Sequence, residues 1–382
     1  MSRRLPVPLS SSMFGPLLDD LPEDIFDPGF AGACERLDHY VGALAREVGR
    51  DLSLSPGEPF DADRLMDERG WAPPSRATVE WLLGTLELYG VARRDGHEWL
   101  VADLDGHPPS AALRAAAVEA DPSVAPAYEV MALAARAVPD VLAGKIRGEE
   151  ALFGPQTMGL WFSYFSNDNP LYAPSNRIAA AAAARAAGPA PRVLEVGGGG
   201  GSAAQEIGRR LVADGKTPWL YHFTELQPAF LRRGARMAQA VLPPATAFKA
   251  FRYDINEPPW TQEVEARQYD LVVAVNTVHL ARDLPATLAM LRSLLAEGGG
   301  LVLGELIRPA GNGTVHLELP FSLLSSYRET AGEGRPAGFL TEAMWRRALH
   351  EAGFQQVELL PAQLSRCVEA YPGFYCAALT AR

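Results

Sequence analysis

Five consecutive glycines constrain the fold of this 382-residue chain more than any other feature. They stand in the segment RVLEVGGGGGSAAQEIG, residues 192–208, between a short apolar run and a helical pattern. A glycine-rich turn between a strand and a helix lets the backbone approach a nucleotide closely. The segment therefore predicts a nucleotide-binding α/β domain, whose ligand has to be inferred from the surrounding residues.

The chain alternates between strand and helix patterns after the glycine loop, which predicts a Rossmann-like parallel sheet covered on both faces. The predicted strands are 191–196, 218–224, 247–253, 270–276 and 300–305, and the predicted helices are 202–213, 228–241 and 283–296. An amphipathic helix at 341–354 precedes two final strands, QVELLPA and GFYCAALTA. Because a short connection cannot join parallel neighbours, these two strands should be antiparallel.

The N-terminal part of the chain predicts a different organisation. Residues 1–30 are rich in Pro, Ser and Asp and predict an arm, and residues 31–175 predict a mainly helical domain. The domain junction is expected near the helix SNRIAAAAAARAAGP, where Ser175 stands near the N-cap. Within the helical domain, residues 75–102 predict a helix and two short strands around Asp95-Gly96, which is a winged-helix-like pattern. Ten acidic residues against five arginines between Asp61 and Asp105 disfavour DNA, so a packing module is the favoured interpretation.

Composition limits the partners and the compartment. The net charge of -11 disfavours nucleic acid and phospholipid surfaces, which select for basic proteins. Three scattered cysteines predict thiols in a reducing compartment, and no apolar run reaches the roughly 18 residues of a membrane span. These observations predict a cytoplasmic protein.

Two ligands fit the glycine loop. Gly198, Gly200 and Ala203 satisfy the dinucleotide fingerprint, so nicotinamide or flavin stays open at this point. Gly197, Gly199 and Gly201, preceded by Glu195, equally fit the acid-x-G-x-G-x-G loop of enzymes that use S-adenosylmethionine (SAM). SAM has no phosphate but carries an amine and a sulfonium, and an acid beside the loop suits such a cation better than a pyrophosphate.

Further polar groups follow the next strands. Glu225 ends the second strand, where an acid can accept both ribose hydroxyls, and Asp254 follows the third, where it can accept from the adenine amino group. Their neighbours Leu226 and Ile255 are assigned to the same pocket, together with Asn276 after the fourth strand. Three acids at successive strand ends make SAM the better prediction for the cofactor.

These residues resemble a known family. The segments FTELQPAFL, YDLVVAVNTVHLARDLPATLAMLRSLLAEGGGLVLGEL and WRRALHEAGFQQVELLP look like the class I SAM-dependent methyltransferases of polyketide synthases, especially their carbon-methylating domains. Upstream, YGVARRDGHEWLVA, VLAGKIRGEEALFGP and NPLYAPSN resemble the helical lid of those domains. The resemblance implies a class I methyltransferase sheet at 176–382 behind a lid at 31–175.

The sequence departs from that family in two ways. Glu225-Leu226-Gln227 stands where the family usually has Asp-Ile-Ser, which keeps the ribose-binding acid but lengthens the next polar side chain. No carrier or condensing domain is recognisable, so we expect either a free-standing enzyme or a domain excised from a larger assembly.

The resemblance assigns a catalytic dyad to His279 and Glu305, which follow or end neighbouring strands. A histidine can deprotonate a carbon between two carbonyls, and a carboxylate on its other nitrogen would fix the tautomer. In the alternative interpretation both residues are structural: His279 caps the strand, and Glu305 forms an ion pair with an arginine such as Arg308. Tyr164 and Tyr172 could orient the acceptor carbonyl from the lid, although aromatic residues in helices are more often core.

The resulting prediction is a C-methyltransferase that acts on the alpha carbon of a beta-keto or malonyl-type acyl thioester, presented on an acyl carrier protein.

 The alternatives are an O-methyltransferase of a natural-product hydroxyl and a non-catalytic SAM-binding protein, with a nicotinamide-dependent oxidoreductase as a distant fourth. A minority interpretation adds an iron or manganese ion held by ligands such as His316 and Gln227. No ligand spacing demands a metal, so the predicted metal site is none.

Overall fold

A computed structural model describes residues 21, 25–26, 29–105, 108–309, 315–328, 330, 337–370 and 375–382. Most of the predicted arm at 1–30 lies outside these residues. The described chain forms two compact units. The helical unit holds residues 29–164 and 308–339, and the sheet unit holds 165–307 and 340–382 together with residues 21, 25 and 26.

The helices of the described residues are α1 (Phe30–Asp51), α2 (Ala62–Arg69), α3 (Arg76–Leu88), α4 (Ser110–Ala120), α5 (Ala125–Leu142), α6 (Gly148–Phe153), α7 (Met158–Tyr164), α8 (Ala173–Ala186), α9 (Ser202–Ala213), α10 (Pro228–Gln239), α11 (Leu284–Leu294), α12 (Glu318–Phe321), α13 (Ser325–Arg328), α14 (Glu342–Glu351) and α15 (Leu364–Ala370). The strands are β1 (Phe60–Asp61), β2 (Ala92–Asp95), β3 (Glu98–Val101), β4 (Arg192–Val196), β5 (Leu220–Thr224), β6 (Ala247–Phe251), β7 (Tyr269–Val275), β8 (Leu295–Leu306), β9 (Val357–Leu360) and β10 (Cys376–Ala381).

The helical unit is built around α1, which packs against α3, α4 and α5. The apolar residues of α1 recur three and four apart and are buried, as the amphipathic pattern predicts. Helix α3 leads into the hairpin of β2 and β3, whose turn contains Gly96 at φ +63°. The predicted helix and strand pair are therefore present, and their interpretation as a winged helix stays a prediction.

Residues 308–339 group with the helical unit, whereas the sequence analysis placed them in the domain 176–382. Helix α12 packs against α3 and α5 of that unit. The Thr78 hydroxyl donates to the Ser322 carbonyl, and Glu149 accepts from both the backbone and the hydroxyl of Ser325. These contacts connect residues more than 170 positions apart, which a local sequence pattern cannot predict.

The sheet unit contains a seven-stranded sheet in the order β6-β5-β4-β7-β8-β10-β9. Strands β4 to β8 are parallel, and β10 pairs antiparallel with both β8 and β9. The predicted Rossmann-like sheet with a closing antiparallel strand is confirmed. The carboxyl ends of β4, β5, β6, β7 and β8 lie along one edge, where a crevice forms between the loops.

Several predicted boundaries differ from the structure. Strand β6 ends at Phe251 rather than 253, and β8 begins at Leu295 rather than 300 because Leu295 pairs with Tyr269 across an irregular register. Helix α8 begins at Ala173 with Tyr172 as N-cap, so Ser175 lies inside the first turn. Pro174 explains the earlier start, since proline is well tolerated in the first turn of a helix.

Candidate active site

The glycine loop between β4 and α9 adopts a conformation that favours glycine. Gly197, Gly199 and Gly201 have φ values of +65°, +54° and +89°. A Cβ on Gly197 would come within 2.3 Å of Thr277, and one on Gly201 within 2.7 Å of the Gly234 carbonyl. A Cβ on Gly199 would meet no atom within 4 Å. Two glycines therefore permit close packing, while Gly199 borders open space where a ligand can approach.

Glu225 is tied directly to the glycine loop. Its Oε2 accepts from the Gly199 N–H at 3.0 Å, and its Oε1 accepts from the Gln227 N–H at 2.8 Å. Burial raises the pKa of the Glu225 carboxyl, and the backbone N–H donors oppose that rise. Leu226 beside it is half-buried. The structure thus holds a carboxyl group in a defined orientation at the predicted ribose position.

Glu195 lies in the interior rather than at an open strand end. Its side chain is fully buried, and its Oε2 accepts from the Tyr221 hydroxyl at 2.7 Å. Burial raises the pKa of Glu195 to about 8, although the Tyr221 hydrogen bond lowers it. The neutral form is therefore favoured at neutral pH unless a cation lies nearby.

The loop that carries Asp254 and Ile255 is clamped by two side chains that the sequence analysis missed. The Gln262 amide accepts from the Asp254 N–H at 2.7 Å and donates to the Asp254 carbonyl at 3.0 Å. Asn256 accepts from the Arg282 N–H at 2.9 Å. Gln and Asn in a loop carry no distinctive sequence signal, so only the fold reveals this clamp.

His279 and Glu305 meet in the structure, as the resemblance implies. His279 lies on a turn after β7 and Glu305 near the end of β8, and both side chains are fully buried. The His279 Nδ1 lies 2.7 Å from the Glu305 Oε2. The other carboxylate oxygen accepts from the Val278 N–H at 3.1 Å. Glu305 therefore holds both the ring and the turn that carries it.

The alternative partner of Glu305 is engaged elsewhere. Arg308 forms an ion pair with Glu318 and donates to the Ala337 carbonyl, all within the helical unit. Burial raises the pKa of Glu318, whereas the Arg308 charge lowers it. The ion-pair interpretation of Glu305 with Arg308 is therefore wrong for this structure.

Asn276 joins the ends of the two strands that carry the dyad. It adopts a φ of +50°, a left-handed conformation that Asn tolerates better than most residues. Its N–H donates to the Gly304 carbonyl at 2.7 Å, and its Oδ1 accepts from the Leu306 N–H at 3.0 Å. Burial raises the pKa of the Tyr172 hydroxyl to about 12, and the Asn276 side chain lowers it. Tyr172 thus belongs to the same cluster and stays protonated at neutral pH.

Tyr164 belongs to the helical unit, not to the sheet unit that holds Tyr172. Its hydroxyl lies 3.4 Å from the His316 Nε2, and burial lowers the pKa of His316 to about 4. Gln227, the other ligand of the minority metal interpretation, lies in the sheet unit. Among the described residues, no group of three or more His, Cys, Asp and Glu side chains could hold a metal ion.

Comparisons with known proteins fit this geometry. Residues 194–301 match the family described as methyltransferase domain. Highly reducing polyketide synthase 40 of Fusarium pseudograminearum is 36% identical over 170 residues, which are 44% of this chain and 6% of that protein. The chain spans 6% to 11% of the length of the first curated relatives it matches.

Two solved structures share the fold. The CurJ carbon methyltransferase has 22% sequence identity and a TM-score of 0.76, with 97% of each chain covered. The trans-methyltransferase CalH in complex with SAH has 23% identity and a TM-score of 0.63, with 92% of this chain and 91% of that chain covered. The resemblance drawn from the sequence is confirmed, and residues 194–301 lie in a methyltransferase domain. No helix among the described residues is long and apolar enough to cross a membrane.

Proposed function

We propose that the protein is a C-methyltransferase that acts on the alpha carbon of a beta-keto or malonyl-type acyl thioester. The observation that carries the proposal is the buried contact of 2.7 Å between His279 Nδ1 and Glu305 Oε2. Glu305 binds Nδ1, so Nε2 is the nitrogen that takes the proton from the acceptor carbon. Glu305 then stabilises the imidazolium, as the carboxylate does in a hydrolytic triad.

SAM supplies the methyl group when bound, as an electrophile on a sulfonium. Glu225, held by the Gly199 N–H, would accept from the ribose hydroxyls, and Asp254 on its clamped loop would accept from the adenine amino group. The open space beside Gly199 leaves room for the ligand. Methyl transfer is an in-line displacement, so these contacts contribute mainly by orienting the two reactants.

The acyl group would be presented on an acyl carrier protein, in keeping with the polyketide synthases among the relatives. Carrier proteins are commonly acidic, and Arg232 and Arg236 expose two positive charges on α10. None of Cys34, Cys367 and Cys376 forms a disulfide, which supports a reducing cytoplasm.

The test is an incubation with SAM carrying a carbon-13 methyl group and acetoacetyl-pantetheine or malonyl-pantetheine. We expect a methyl on carbon by mass and by chemical shift, and its loss in His279→Ala. A methyl on oxygen would replace the proposal with O-methylation. SAM binding without transfer to any acceptor, with or without added iron(II) or manganese(II), would favour a non-catalytic protein.

A further inference from the structure

A chain of two amide side chains ends at the start of α9, directly after the glycine loop. The Asn176 Nδ2 donates to the Asn167 Oδ1 at 2.8 Å, and the Asn167 Nδ2 donates to the Ser202 carbonyl at 2.9 Å. Ser202 is the first residue of α9, directly after the glycines. All three residues belong to the sheet unit.

The Ser202 carbonyl determines the orientation of the chain. A carbonyl can only accept, so the Asn167 amide must turn its NH₂ toward Ser202 and its oxygen toward Asn176. Asn176 must then donate to Asn167, which directs its own Oδ1 away from this chain. The Asn176 side chain is fully buried, and its Oδ1 has no hydrogen-bond partner among the described residues.

The position of Asn176 relates this oxygen to the candidate site. Asn176 follows Tyr172 by four residues at the start of α8, so the two lie on one face of the helix. Tyr172 interacts electrostatically with Asn276, Glu305 and Glu195. Helix α8 packs against α9, β7, β8 and β10, whereas Glu225 and Asp254 follow β5 and β6 at the other end of the strand order.

A buried carbonyl oxygen without a donor is costly, and a ligand that supplies an N–H or O–H removes that cost. SAM has donors on its adenine, its ribose and its α-ammonium group. The first two are assigned to Asp254 and Glu225 on the other half of the sheet. The carboxylate of SAM cannot donate, so the α-ammonium group is the donor left for Asn176.

We propose that the Asn176 Oδ1 accepts a hydrogen bond from the α-ammonium group of SAM, with Asn167 holding the amide in place. The inference rests on the proposed function, because it requires SAM in this site. Asn176 is therefore assigned as a cofactor-binding residue that selects for the amino-acid part of SAM.

The test compares two ligands by calorimetric titration of the full chain. SAM carries the amino-acid part, and 5′-methylthioadenosine lacks it. We expect Asn176→Ala to weaken SAM binding on the order of 10- to 100-fold, the effect of losing a hydrogen bond to a charged group. Binding of 5′-methylthioadenosine should stay unchanged, because that ligand has no ammonium group.

Ser175→Ala is the matched control, since Ser175 is also buried on α8 but bonds Cys376. It should leave both affinities unchanged. If Asn176→Ala unfolds, Asn176→Ser serves instead, because its hydroxyl can donate but is too short to reach the ligand. An equal loss for both ligands, or no loss for SAM, would overturn the inference. A wild-type protein that binds neither ligand would overturn the proposed function as well.

Discussion

The two oxygens of Glu305 bind two different donors, and this arrangement determines the tautomer of His279. Oε1 accepts from the Val278 N–H, and Oε2 faces the His279 Nδ1. A glutamine at 305 would place its oxygen toward Val278, because that N–H can only donate. Its NH₂ would then face His279 and require Nδ1 to accept. The ring proton would sit on Nε2, where the base is needed.

We therefore expect Glu305→Gln to lower kcat on the order of 10³-fold with little change in SAM affinity. Single-turnover methyl transfer and calorimetric SAM binding provide the two measurements. The double variant with His279→Ala should be no slower than His279→Ala alone, because the two residues act as a unit. A Glu305→Gln protein with wild-type kcat would contradict the proposed dyad.

Glu195 makes the stability depend on pH in an unusual direction. Its pKa is raised from 4.5 to about 8 by burial, so the folded state keeps a proton that the unfolded state loses. Without SAM, the free energy of unfolding should fall as the pH rises from about 4.5 to about 8, and change no further above that range through this group.

Glu195→Gln keeps the shape of the protonated Glu195 side chain but removes the group that titrates. We expect a higher Tm than wild type at pH 8 and a nearly equal Tm at pH 5, measured by thermal unfolding. Equal pH dependence in both proteins would show that the Glu195 carboxyl does not retain its proton.

At the scale of elements, α10 packs on the glycine loop through Gly234. A Cβ at this position would come within 2.4 Å of the Gly199 carbonyl and 2.3 Å of the Phe223 ring. Replacing a helical glycine with alanine ordinarily stabilises a protein by about 1 kcal/mol. At Gly234 the contacts of the added Cβ with Gly199 and Phe223 should make the same substitution destabilising.

We expect Gly234→Ala to lower the free energy of unfolding by about 1–3 kcal/mol, the usual cost of overpacking, and to weaken SAM binding by displacing the loop. Gly159→Ala is the control, since Gly159 is helical, exposed and has open space around it. It should be neutral or stabilising in denaturant unfolding. A stabilised Gly234→Ala would show that α10 can move away from the loop without cost.

At the scale of the whole molecule, the described residues of 308–339 belong to the helical unit although they follow β8 in sequence. They leave the sheet after β8 and make their contacts with α3, α5 and α6 of the helical unit. A fragment 176–382 would lack those partners and also Asn167 and Tyr172. We expect it to be aggregation-prone, with no cooperative thermal transition, and to bind SAM at least tenfold more weakly than the full chain.

Circular dichroism and calorimetry on the fragment and the full chain provide this comparison. The full chain with the same tag and buffer is the control. A fragment with a sharp transition and full SAM affinity would show that the predicted domain 176–382 folds and binds independently.

The sequence by itself determined the α/β class, because strand and helix periodicities are local and the glycine loop has one typical place between them. It also determined that Glu225, His279 and Glu305 reach the same edge, since parallel strands bring their carboxyl ends together. Only the tertiary structure decided the partners of those groups. The burial of Glu195, the clamp by Gln262, the amide chain through Asn167 and Asn176, and the return of 308–339 to the helical unit all depend on contacts between distant residues. Burial and hydrogen-bond geometry arise from packing in three dimensions, and no local pattern in the chain encodes them.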